Sequence, residues 1–255
     1  MFRLLAPRPR AIEQDSVRLQ LPDGSDVEVQ RLRHPRARRI RLSVDHRGAR
    51  LTLPWRASRI AGERFLAEHA DWLQVQLRAH AELPPMPALR QLQALPLRAV
   101  GLPLTHAVGR FTRVLREGDG LVLVAPEQAS DAALRRALRD FYEQEGRSDL
   151  ARWLPRHLPG LPRTPSRIRF RTMSSQWGSM SRNAAMSLDL ALVLARPSAF
   201  EYVLAHELCH LIRCDHSPAF WREVESRWPA WRDERTYFRA EGPRLKATAR
   251  HLLGA

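Results

Sequence analysis

Lysine is almost missing from this chain: Lys246 stands alone among 42 basic residues, so arginine carries nearly all of the basic charge behind a formal net charge of +15. Such a bias reads as genome base composition, and the plain meaning of the charge is a solvated cationic surface. The functional meaning is an anionic partner such as nucleic acid, nucleotide or anionic lipid. Cysteine is scarce too. Cys209 and Cys214 lie five apart and on different sides of any helix, which excludes a local bridge, and at 255 residues a disulfide scaffold is unnecessary. Long apolar runs are also absent. No stretch approaches the roughly 18 residues of a membrane span, and MFRLLAPRPR interrupts its short apolar run with Pro7 and Pro9, unlike a secretory signal. The expectation is a soluble, cytoplasmic chain with reduced thiols.

What is present falls into two blocks. VRLQL, DVEVQRLR, RRIRLSV and ARLTLP alternate in the strand period and are punctuated by PDG (22–24) and DHRG (45–48), which predicts a small antiparallel meander. In the third strand Ile40, Leu42 and Val44 face a core; Arg39, Arg41 and Ser43 face outward, joined by Arg31, Arg33, Arg36 and Arg38 as a candidate anion-binding face. One helix is predicted over 58–80, capped by Ser58, with Ile60, Phe65, Leu66, Trp72, Leu73 and Leu77 at helical spacing and Trp72 read as core.

Pro84, Pro85, Pro87 and Pro96 mark a linker and divide the chain into an N-terminal domain, 1–95, and a second domain, 96–255. The second opens with strand-like LTHAV, FTRVL and LVLVAP. A helix over 130–153 capped by Ser130 follows, and then an irregular connection forced by Pro155, Pro159, Pro162 and Pro165. RIRFRT (167–172) and AAMSL (184–188) flank MSSQWGSMSRN as a hairpin or paired strands around a loop. No internal repeat is visible, and the class is α+β.

The chemistry concentrates in HELCHLIRCDH, residues 206–216. A helix beginning at Pro197 carries Phe200, Val203, Leu204, Leu208, Leu211 and Ile212 as its apolar series, and on it His206 and His210 are four apart. Their imidazoles therefore project from one face about 6 Å apart, as two ligands of a single ion require. Glu207 stands about 100° round the axis, beside the ion and free to act on water. His216 would lie about 240° beyond His210 on a continuous helix and joins the ion if the chain turns first. Arg213, Asp215 and the Ser217-Pro218 start signal supply that turn; Glu223, Glu225 and Glu234 are the competing third ligands. Cys209 reads as a small core residue and Cys214 as a weaker ligand than His216. Phe220, Trp221, Val224 and Trp228, with Trp231, Tyr237 and Phe238, back the site; Tyr202 and Tyr237 are possible oxyanion donors.

The segments QWGSMSRNAAMSLDLALVLA (176–195) and EYVLAHELCHLIRCDHSPAFW (201–221) resemble the YgjP-like metal-dependent hydrolase family, relatives of the SprT-like zincins. Upstream, RRIRLSVDHRGARLTLP and the helix ending ADWLQVQL resemble the family's N-terminal β segment and Trp-bearing helix. The resemblance implies a zincin-like domain with a short mixed sheet and an HExxH active-site helix, one Zn2+ held by His206, His210 and His216, and Glu207 as general base. It also implies that Trp177-Gly178-Ser179 and the strand through Ser187 form the cleft edge, with Trp177 either there or plugging the core. Gln176 and Met180 depart from the family's usual Arg and Cys at those places.

A metallopeptidase acting on peptides is the leading expectation. A nucleotide phosphohydrolase, or pyrophosphatase, with Arg171, Arg182 and Arg213 holding phosphates, is the alternative. A nucleic-acid-binding module with a structural zinc would need a closed four-ligand site, which three histidines beside Glu207 do not provide.

Overall fold

The computed structural model describes residues 12–45, 48–81, 86–174 and 176–254. The readings made above of residues 1–10, of the tip of the DHRG turn and of Pro84 and Pro85 lie outside them. The chain forms two compact units, Met1–Pro84 and Pro85–Ala255. Residues 86–95, assigned above to the first domain, pack with the second: Leu89, Leu92 and Leu95 are buried in its core.

In the first unit β1 (Glu13–Gln20), β2 (Asp26–His34), β3 (Arg41–Asp45) and β4 (Gly48–Pro54) form one sheet in the order β1-β2-β4-β3. It is not the antiparallel meander expected. β2 pairs with β4 in parallel, and only the outer pairs are antiparallel. The reason lies in burial: Ala49, Leu51 and Leu53 are almost fully buried, so β4 takes a central place and five-residue β3 becomes the edge. The predicted helix is two, α1 (Arg59–Glu68) and α2 (Ala70–Ala81), interrupted at His69, which stacks on Phe65. Ser58 caps α1 by accepting from the Ala61 amide. Trp72, expected in the core, is 42% exposed, and Ile60 72%. The arginine face is also revised: Arg31 is buried and donates to both oxygens of Asp15 at 2.7 Å, so it is an internal ion pair.

The second unit opens with a short 3-10 turn and a sheet of β5 (Ala94–Leu97), β6 (Val100–Val108), β7 (Arg113–Glu117) and β8 (Gly120–Ala125) in the order β5-β6-β8-β7. α3 (Asp131–His157) starts at the Ser130 cap and runs through Pro155, further than the proline cluster implied. Pro155 lies in the last turn and removes one backbone donor there, and the helix ends two residues later at His157. A second sheet, β10-β11-β9, comprises β9 (Arg167–Arg171), β10 (Gly178–Met180) and β11 (Ala185–Asp189). β11 and β9 pair in parallel, so they form no hairpin; part of the expected loop is β10, antiparallel to β11.

A buried 3-10 segment, Leu190–Leu194, leads into α4 (Pro197–Cys209), followed by α5 (Pro218–Arg227) and α6 (Trp231–Leu253). α4 is the core element, buried over Ala199–Ala205 and again over Glu207–Cys209; each fully buried Leu or Phe there contributes roughly 1.5–3 kcal/mol. Among the described residues, six α-helices together with mixed sheets make the class α+β. Among the described residues no helix is long and apolar enough to cross a membrane.

Candidate metal centre

Pro197 at the first turn sets α4 going, and the helix tightens at its end. The amides of His210, Leu211 and Ile212 reach back three residues to Glu207, Leu208 and Cys209. The helix therefore stops at Cys209, with His210 as its cap, short of the expected Ile212. The Asp215 carboxylate accepts from the Ser217 amide, Ser217 caps α5, and His216 sits at the corner between the helices.

The ligand atoms of His206, His210 and His216 all lie within 4.8 Å of one another. His206 Nε2 and His216 Nε2 are 3.2 Å apart, close to the roughly 3.3 Å that two imidazole nitrogens keep on one tetrahedral zinc. His210 Nδ1 lies 3.0 Å from the Arg213 carbonyl, a contact that orients the ring and leaves Nε2 as the ligand atom. Phe220 stacks on His210 with centroids 4.5 Å apart, and Trp221 stacks on His216 at 5.9 Å. These rings fix the imidazole planes. Burial first, then the neighbouring His210 and His216, push His206 down to about 3, and burial lowers His210 as well. Neutral imidazole is the form that binds a metal.

Glu207 is 5% exposed, and among the described residues neither its Oε2 nor His206 Nδ1 has a hydrogen-bond partner. Burial pushes the Glu207 carboxyl up to about 8. A buried carboxyl beside three converging imidazole nitrogens is a donor set that fits a bound cation. Gly178 of β10 passes so close that a Cβ there would lie 2.6 Å from Glu207 Cγ and Oε1.

A cavity of about 1010 Å3 opens over this cluster, lined among others by Trp177, Gly178, Met180, Tyr202, Glu207, Trp221 and the three histidines. Trp177 serves both roles considered for it, facing the cavity and packing on Phe238 with centroids 4.4 Å apart. Trp177, Gly178 and Ser179 line the cavity and Ser187 is not among its lining residues; β10 is one edge of its sheet, and β11, the strand through Ser187, is central. The competing carboxylates are engaged elsewhere: Glu223 with Arg227, Glu225 with Arg232, and Glu234 with Arg196. Cys209 is buried and its thiol pushed up to about 11, as a core residue; Cys214 is exposed. Tyr237 is committed to the Arg196 amide, whereas Tyr202 lines the cavity, its hydroxyl pushed up to about 12 by burial.

Of the arginines expected to hold an anion, Arg182 lines the cavity and Arg171 and Arg213 do not; Arg163, Arg235 and Arg239 do. Arg235 and Arg239 were missed because their helix, α6, is remote from the histidines in sequence. The i, i+4 spacing of Arg235 and Arg239 was the available signal. Arg235 is set by cation-π contacts with Trp221 and Trp231, at 5.0 and 5.5 Å.

Neither the curated proteins nor the solved structures contain a match to this chain. Residues 38–241 match the family described as YgjP-like, metallopeptidase domain, which makes the chain a metal-dependent hydrolase by family. With four-fifths of its length inside that match, the chain belongs to the YgjP-like metallopeptidase-domain family.

Proposed function

We propose that the protein is a zinc-dependent metallopeptidase in which His206, His210 and His216 hold one ion and Glu207 is the general base. The observation that carries this is the convergence of three imidazole nitrogens beside a buried carboxylate with an unpartnered oxygen. An all-nitrogen set of three suits zinc and keeps a coordination position open, as catalytic sites do. When bound, the ion supplies Lewis acidity and an activated water. Glu207 Oε2 takes the proton of the attacking water and returns it to the leaving amine. Edge strand β10 offers its free backbone to an extended peptide, which would lie along Glu207 as an added strand. Tyr202, in the cavity wall, is the hydroxyl donor available to a developing oxyanion.

The substrate is anionic in this reading. Arg163, Arg182, Arg235 and Arg239 line the cavity, and Glu207 is the sole carboxylate in its lining among the described residues. Among the described residues no carboxylate lies within ion-pair distance of Arg182, Arg235 or Arg239. A peptide with acidic side chains flanking the scissile bond would satisfy them. The same arginines favour the second reading, a nucleotide phosphohydrolase.

Metal-loaded protein tested against an acidic and a neutral peptide library and a nucleotide panel separates the two. Chelator-sensitive cleavage of acidic peptides is expected. Release of phosphate or pyrophosphate with no peptide cleaved would overturn the peptidase reading in favour of the alternative.

A further inference from the structure

Lys246 is the chain's single lysine, kept where arginine occupies the other basic positions, and it is nearly buried. Its Nζ donates to the carbonyls of Met173 and Gln176, each at 2.7 Å, and to Asp189 Oδ2. The same ammonium lies 4.2 Å from the centroid of the Trp177 ring. Three acceptors around one nitrogen use all three N–H bonds of an ammonium. A guanidinium spreads its five donors over a plane and is too wide to place three of them on one centre. The chemistry of the position selects lysine against the chain's own bias.

The partners of Lys246 hold one stretch at several points. Asp189 Oδ1 accepts from the Met173 amide, and the Asp189 amide donates to the Trp177 carbonyl at 2.8 Å. On α6, Phe238, Gly242 and Lys246 follow one another at intervals of four on one face: Phe238 packs at a tilt on the Trp177 ring, and Gly242 leaves it room, a Cβ there lying 3.3 Å away. Trp177 leads directly into Gly178, whose backbone abuts Glu207. A displacement of the Gln176–Gly178 backbone would be felt at the Glu207 carboxylate.

We infer that Lys246 is a positioning residue: through Met173, Gln176 and Trp177 it fixes β10 against Glu207 and so sets the width of the cleft in which substrate lies. The inference rests on the hydrolase reading for its catalytic meaning, and two of its readouts do not depend on activity.

An amine-selective acylating reagent reports on a single ε-amine here, read by mass spectrometry of the peptide containing Lys246. Acylation in the folded protein is expected about tenfold or more slower than in denaturant; equal rates would overturn the pinning. In Lys246→Met and Lys246→Arg, amides of residues 176–180 are expected to exchange with deuterium about tenfold faster, with exchange in β8 unchanged. On a peptide cleaved by the wild type, kcat/KM should fall about tenfold in both variants, mostly through KM, at unaltered metal content. Wild-type exchange and kinetics in the arginine variant would overturn the inference, because charge alone would then suffice. If a variant does not fold, acylation of the wild type still decides the pinning. A wild type that cleaves no peptide overturns the proposed function, and acylation and exchange still decide the role of Lys246 in holding β10.

Discussion

Gly178 and Glu207 are in such close apposition that Gly178→Ala must move either β10 or the carboxylate, since the added Cβ would sit 2.6 Å from Glu207 Cγ. The expected loss is about 100-fold in kcat with the far-ultraviolet circular dichroism unchanged, in line with what a misplacement near 1 Å costs elsewhere. Glu207→Gln should keep its metal, by elemental analysis, and lose about 100-fold or more in turnover; full activity would remove Glu207 from the mechanism. His216→Ala should lower zinc stoichiometry, and an unchanged value would point to another ligand. The histidines were legible because their spacing is helical and local, and the turn before His216 was written in Asp215, Ser217 and Pro218. The resemblance placed Gly178 at the cleft, but its apposition to Glu207 was not legible, and neither was the role of Lys246. Their meaning lies in contacts with Glu207 and Asp189, which stand far away in the chain, and a lone Gly or Lys carries no periodicity.

Among the elements, the β5–β6 hairpin turns on Arg98 and Ala99, both in the left-handed region with φ of 53° and 64°. That conformation costs an ordinary residue roughly 1–2 kcal/mol. Backbone bonds from Arg98 and Ala99 to Val193 and Leu194 hold it, as does the Arg98 side chain, which reaches Asp149 and Glu145. Burial pushes the Glu145 carboxyl up, but hydrogen bonds from Arg116 and Arg98 outweigh it and leave the group below its ordinary value. A carboxyl lowered in the folded state stabilises above its unfolded value, near 4.5, and that contribution fades as pH falls through the lower folded value. Arg98→Met should therefore cost about 3 kcal/mol at neutral pH, and the gap to wild type should narrow below about pH 4.5, measured by denaturant unfolding across pH. The strand periods were visible in sequence, but alternation fixes which face a residue takes and leaves the partner strand open. Thus the parallel pairs β2–β4 and β6–β8 escaped notice, and so did the matching strand order of the two four-stranded sheets.

Two units with separate cores predict calorimetric unfolding in more than one step. Because His206, His210 and His216 all belong to the second unit, a chelator should lower the transition of 85–255 and leave the other in place, with hydrogen exchange assigning each. The whole molecule also carries +15, and its cavity wall holds four arginines. Salt should then act on the two proposed occupants in opposite senses: association of an anionic peptide slows as ionic strength rises, whereas uptake of a divalent cation quickens as repulsion is screened. Stopped-flow rates between low and high salt check both. A cation site inside so positive a protein needs a local source of negative potential, and the early stop of α4 provides one. The helix ends in the turn that carries His206 and His210, so its last carbonyls gather the negative pole of the helix dipole beside the imidazoles. Prolonging α4 past Cys209 would carry that pole away from the ion and swing His216 out of reach, so where the helix ends governs both the field at the site and its third ligand.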